Sequence, residues 1–309
     1  MNKELNPASK SNSKNLIHDL IILLKPELTG LSVFTTIFSG IIALDNSTPI
    51  NYSIFLFLGF GTLFVGGGAG VLNQYIERAL DAKMKRTEKR PIPDNRILPN
   101  HALSYGIIVT IIGFLLLQIF VNTYSFLISF ATWAIYIFIY TPLKRISVAS
   151  TVVGAIPGAL PTLIGWVGIK GEITIEGWIL FLILFFWQMP HFYSLAWMYR
   201  NDYAKADFQI LSVVDKTGTM LSRQIIFNTI LLLAVSFYPY SVGMATIEYF
   251  YIGLVLNLIF LAFAFRFSKD IKKYNLNLPN DANKSARKLF FVSLIYLPII
   301  FILIYFFER

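Results

Sequence analysis

Nine apolar runs divide this chain, at residues 28–44, 53–74, 102–120, 124–140, 148–169, 177–197, 220–241, 247–267 and 289–307, and the short segments between them hold nearly all of its charge. At about 1.5 Å per residue, each run as a helix is of the length needed to cross roughly 30 Å of hydrocarbon. No single soluble core hides the apolar surface of a 309-residue chain that is 56% hydrophobic and 14% charged, whereas a bilayer solvates it. The expected fold class is therefore an all-α membrane protein with nine transmembrane helices.

Orientation follows from the 26 Lys and Arg residues, since basic loops tend to stay cytoplasmic. Every one of them except Lys170 and Arg309 falls in the N-terminal segment, in the segments after the second, fourth, sixth and eighth runs, or, for Arg223 and Arg266, within the run ends that border those segments. That alternation predicts a cytoplasmic N-terminus. Residues 1–27 read as a polar cytoplasmic segment with the start of the first helix, and 28–309 as a single membrane domain. The net charge of +9 needs no nucleic acid, because the basic residues lie where anionic lipid headgroups attract them. Residues 1–14 show no short apolar region followed by a small-residue cleavage site, so the first apolar helix is expected to stay in the mature protein. With no cysteine, thiol catalysis, thiolate metal sites and disulfides are excluded.

The segment most telling of chemistry runs from Gly66 to Asp81, out of the second run into a basic loop. Asn73, Glu77 and Asp81 recur every fourth residue, which stacks three oxygen donors on one helix face. Two carboxylates so spaced repel unless a cation lies between them, and hard cations such as Mg2+ take oxygen ligands and share them with phosphate. The plainer alternative is a solvated helix end, with Glu77 and Asp81 paired to Arg78, Lys85 or Arg86. The crowded cations between Lys83 and Arg96, among them Arg86 and Arg90, suit a diphosphate and favour the first reading.

A second acidic segment, Met198 to Phe208, follows the sixth run at the same membrane face, so Asp202 is expected to complete a metal cage with the first. Tyr140, Lys144 and Arg145 in the short loop after the fourth run place a phenol and two cations there too, for the diphosphate or for membrane anchoring. Gly154 to Pro161 has two prolines and several small residues, expected to form a kinked cavity wall. Trp187, Gln188 and His191 lie within the sixth run, where a histidine marks either a satisfied core contact or a function.

Taken together, these blocks resemble the UbiA-type intramembrane prenyltransferases. The glutamate at position 77, with Tyr140 to Arg145, Gly154 to Pro161, Trp187 to Phe192 and Ala286 to Phe290, resembles the haem O synthase branch of that family. The resemblance runs from Lys25-Pro26 to Tyr296-Leu297. Departures are Asp207 in place of a usual glycine, Ser212 in place of a usual proline, and Glu27 in place of a common basic residue.

Membership would imply helices around a central cavity, Mg2+ held by Asn73, Glu77, Asp81 and Asp202, and diphosphate held by Arg86, Arg90, Lys144, Arg145 and Tyr140. It would also imply farnesyl diphosphate and protohaem IX as substrates, with His191, Trp187 and Gln188 at the acceptor. It further implies a multi-pass protein of the bacterial inner membrane, with haem A synthase or terminal oxidase assembly as a partner. The expected reaction is transfer of the farnesyl group to a vinyl group of protohaem IX with addition of water. Two rivals stand beside it: prenylation of an aromatic quinone precursor, and a polytopic transporter.

Overall fold

The computed structural model describes residues 13–44, 51–275 and 281–308. Among the described residues ten helices carry the fold: α1 (Ser13–Leu23), α2 (Pro26–Ile42), α3 (Ser53–Asp81), α4 (Pro99–Phe120), α5 (Thr123–Leu143), α6 (Ser150–Lys170), α7 (Ile175–Met198), α8 (Thr219–Ser241), α9 (Ile247–Asn275) and α10 (Ala282–Phe306). Eight of them, α3 to α10, are each long and apolar enough to cross a membrane, and α1 with α2 makes a ninth candidate span, bent by 53°.

The first span departs from expectation because residues 13–23, read from sequence as part of a polar lead-in, are helical. Lys25 adopts the left-handed conformation, φ 52°, which turns the chain between α1 and α2. Pro26 then opens α2 at a position where its missing N–H costs nothing. Elsewhere the helices outrun their apolar stretches. Helix α3 continues from Gln74 to Asp81, because Glu, Arg, Ala and Leu are good helix formers that need no lipid to stay helical.

Helix α5 contains a π-helical turn, Ile135–Tyr140. Pro142 cannot donate to the carbonyl one turn earlier, and the Thr141 hydroxyl donates to Tyr136 O at 2.8 Å. Such widened turns shift the register of the side chains beyond them, and cluster at functional sites.

Small residues let the helices approach. The hydroxyls of Thr36 and Ser39 in α2 donate to Pro161 O (3.0 Å) and Thr162 O (2.7 Å) of α6, and a Cβ on Gly165 would overlap the carbonyl oxygen of Thr36. Helix α6 stays one helix through Pro157 and Pro161, and the Thr36 and Ser39 hydroxyls tie its carbonyls to α2. Farther from the site, Tyr296 donates to Asn257 Oδ1 and Asn257 donates to Ser236 Oγ, each at 2.6 Å, so the buried polar groups linking α8, α9 and α10 are satisfied.

Gly165→Ala should therefore lower the stability of the detergent-solubilised protein by an overpacking cost of about 1–3 kcal/mol. A thermal melt reads the effect, with Gly30→Ala as the control, since no atom lies within 4 Å of a Cβ at Gly30. Equal melting of both variants would remove the close α2–α6 contact from the account of the fold.

Candidate functional site

Helices α2, α3, α5, α6 and α7 wall a cavity of about 410 Å3, with residues from the segments after α3 and α7 gathered at one end. Its size is that of a small-molecule site. Of the expected site residues, Asn73, Glu77, Asp81, Arg86, Arg90, Tyr140, Lys144, Trp187, Gln188 and His191 line it.

The three oxygen donors of α3 do face one way, and each meets a cation. Lys25 Nζ donates to Asn73 Oδ1 at 2.8 Å, and Asn73 Nδ2 donates to Thr141 Oγ1 at 3.2 Å. Glu77 forms an ion pair with Lys144. Arg90 Nη1 donates to Asp81 Oδ2 at 2.7 Å, while Asp81 is only 1% exposed. None of these partners is Arg78, Lys85 or Arg86, so the solvated helix end is not what forms. Burial by itself would pull the Lys144 ammonium below its ordinary range, yet the field of Glu77 outweighs it and holds that pKa above normal.

Four basic side chains line the cavity, Lys25, Arg86, Arg90 and Lys144, against two carboxylates, Glu77 and Asp81. Burial and the charges of Arg90 and Lys144 pull the Lys25 pKa down to about 7, so three firm cations and one basic group that a bound anion would charge face the two carboxylates, and that excess suits a polyanion. Arg86 is held over the rings of Tyr199 (5.2 Å) and Tyr203 (6.0 Å), and Lys144 over Tyr140 (4.9 Å) and Phe208 (5.4 Å), so the cations are positioned by aromatic faces.

Two expected residues are placed elsewhere. Asp202 is not on the cavity wall; its carboxylate lies 3.9 Å from Lys205 Nζ. The reason is helical geometry, since successive residues of the turn Arg200–Lys205 point about 100° apart and Tyr203 takes the inward position. Arg145 is exposed for the same reason, its neighbour Lys144 being turned inward. Gln209 N donates to Lys144 O at 2.8 Å and pins that backbone. Asp207 has φ 58°, the left-handed region that favours glycine, and its exposed carboxylate reaches Lys83 at 3.4 Å. Backbone shape explains a glycine preference there.

Lys25 and Tyr136 line the cavity and were not singled out from sequence. Lys25 is placed by the left-handed turn before Pro26, which no local sequence rule predicts. Tyr136 had none, because its inward aim depends on the π turn.

Asn73, Glu77 and Asp81 are hard oxygen donors and fit a divalent cation in kind. Among the described residues no three His, Asp or Glu side chains converge, so such a cation would complete its shell with phosphate oxygens and water.

Comparison with known proteins agrees with this architecture. Residues 32–295 match the UbiA prenyltransferase family. A protein from Solibacter usitatus (strain Ellin6076) named protoheme IX farnesyltransferase is 39% identical over 292 residues, 92% of this chain and 97% of the relative. One of the same name from Rickettsia bellii (strain OSU 85-389) is 35% identical over 306 residues, 98% of this chain and 97% of that one. A solved structure described in work on digeranylgeranylglyceryl phosphate synthase has a TM-score of 0.74 at 18% identity, over 94% of this chain and 97% of its own. A UbiA homologue from Archaeoglobus fulgidus bound to DMAPP and Mg2+ has a TM-score of 0.62 at 14% identity, over 93% and 99%. The two solved structures share the fold.

Proposed function

The chain belongs to the UbiA prenyltransferase family, and from that premise we propose that it transfers the farnesyl group of farnesyl diphosphate to a vinyl group of protohaem IX, with addition of water, giving haem O and diphosphate. The observation that carries this reading is the charged end of the cavity, where two buried carboxylates on one face of α3 are outnumbered by four basic side chains. The relatives named protoheme IX farnesyltransferase, matched over nearly their full length, support the choice of acceptor.

Asn73, Glu77 and Asp81 would hold Mg2+ beside the diphosphate. Bound there, the ion would supply a Lewis acid for the diphosphate oxygens. Lys25, Arg86, Arg90 and Lys144 bind the diphosphate and stabilise the charge it gains as the allylic C1–O bond breaks and the electron pair leaves with oxygen. The rings of Tyr136, Tyr140, Trp133 and Trp187 face the cavity, where they stabilise the allylic cation and exclude water. The vinyl π electrons form the new C–C bond, water adds to the carbon left cationic, and one proton is released.

The charged residues gather at helix ends rather than at mid-span, which separates this site from that of a transporter. That end faces the cytoplasm in our reading, since the sequence alternation puts the basic segments on its side of the membrane. A bacterial inner membrane is then the setting, with haem A synthase or terminal oxidase assembly receiving the product.

The test is incubation of the purified protein with protohaem, farnesyl diphosphate and Mg2+, followed by mass analysis of the haem. A product heavier by one farnesyl group and one hydroxyl is expected. Unchanged haem alongside a farnesylated aromatic acid, when one is supplied, would move the assignment to the quinone branch.

A further inference from the structure

His191 is 8% exposed, lines the cavity, and is stacked between Trp187 (ring centroids 5.0 Å apart, 22° between planes) and Phe290 (4.6 Å, 27°). Its Nδ1 lies 2.8 Å from Ser293 Oγ. That hydroxyl has one proton, and its shorter contact, 2.6 Å, is to Phe290 O. With the proton placed there, Ser293 can only accept from the ring, so Nδ1 carries the imidazole hydrogen and Nε2 keeps its lone pair. Trp187 Nε1 donates to Ser293 O at 2.8 Å, which fastens the same pair of helices a second time. Among the described residues no hydrogen bond is formed at Nε2. The ring is locked at one nitrogen and bare at the other, beside a cavity.

We propose that His191 Nε2 is an axial ligand of the haem iron of the acceptor, and that Ser293 is the positioning residue that sets the tautomer and ring angle. The inference rests on the reading of the acceptor as protohaem. A neutral imidazole whose far N–H is hydrogen-bonded is what iron in a porphyrin accepts as a ligand, and that outer bond raises the basicity of the ligating nitrogen. Ligation at the porphyrin centre also fits the reaction: it holds the macrocycle by its metal and leaves the rim, where the vinyl group sits, free to meet the allylic carbon. Trp187 and Phe290 keep the ring from turning, since rotation about its χ2 would break both stacks.

The experiment is a titration of the detergent-solubilised enzyme with ferric protohaem, read by optical and electron paramagnetic resonance spectra. The wild type should show imidazole ligation. His191→Ala should lose that spectrum, bind protohaem at least about tenfold more weakly, and regain the spectrum when imidazole is added. Ser293→Ala keeps the ring, so it should retain ligation while shifting the iron–histidine stretching band of the ferrous form. It also decides the matter should His191→Ala fail to fold, a point checked by its binding of an unreactive thio analogue of farnesyl diphosphate. An unaltered spectrum in His191→Ala, or an unaltered stretching band in Ser293→Ala, overturns the ligation scheme. Haem O formed by the wild type in that event would leave the proposed function standing; a wild type that neither binds nor alters protohaem would end both.

Discussion

Asp81→Asn should lower kcat by about a thousandfold while the protein still inserts, extracts and elutes as the wild type does. Removing one preorganised group from a charge-stabilising site costs about 10²–10³ in rate, and Asp81 is asked to do two things that an amide cannot. It neutralises Arg90, to which it is bonded at 2.7 Å, and it offers a carboxylate to the cation beside the diphosphate. Because asparagine keeps the shape, and because Thr87 is bonded to the backbone carbonyl of Asp81 rather than to its side chain, the local fold should hold. The freed Arg90 still faces the cavity, so the KM for farnesyl diphosphate should change much less than kcat. Steady-state assay of haem O formation separates the two constants, and a variant with half the wild-type kcat would take Asp81 out of the reaction.

Lys144→Met should destabilise the protein by about 3–5 kcal/mol, the cost of leaving one charge of a buried pair without its partner. The side chains of Glu77 and Lys144 are 7% and 12% exposed, so water cannot replace the ammonium at little cost. Adding Glu77→Gln to the same chain should return most of that stability, because the uncompensated carboxylate is then gone. It should not return activity, since both residues belong to the proposed diphosphate site. Thermal melts of the two single variants and the double one give the coupling directly. If Lys144→Met melts with the wild type, the pair contributes nothing to the fold and its link to the site is lost with it.

Several features of this site were open to a reader of the residues alone. The spacing of Asn73, Glu77 and Asp81 needs only a helix to bring them onto one face, and α3 is helical to its last acidic residue. Arg86, Arg90 and Lys144 were named from their position beside apolar runs, Tyr140 from the end of one and His191 from the inside of another, and all five reach the cavity. Asp202 and Arg145 were placed in the site by the same logic and do not line it. Which of two adjacent residues turns inward depends on the phase of a short helical turn, and that phase is set by what packs against it.

Where a chain crosses from water to lipid is decided residue by residue through transfer free energy, so apolar runs, basic loops and the period of a helix determined the class and span pattern of this protein without reference to any distant contact. Which cation meets which carboxylate is another matter. Lys25 and Asn73 are 48 residues apart, and His191 and Ser293 are 102 apart. Such partners are chosen by how closely helices can approach, here through Gly165 against Thr36, the left-handed turn at Lys25 and the π turn of α5, and those are outcomes of packing the whole bundle at once.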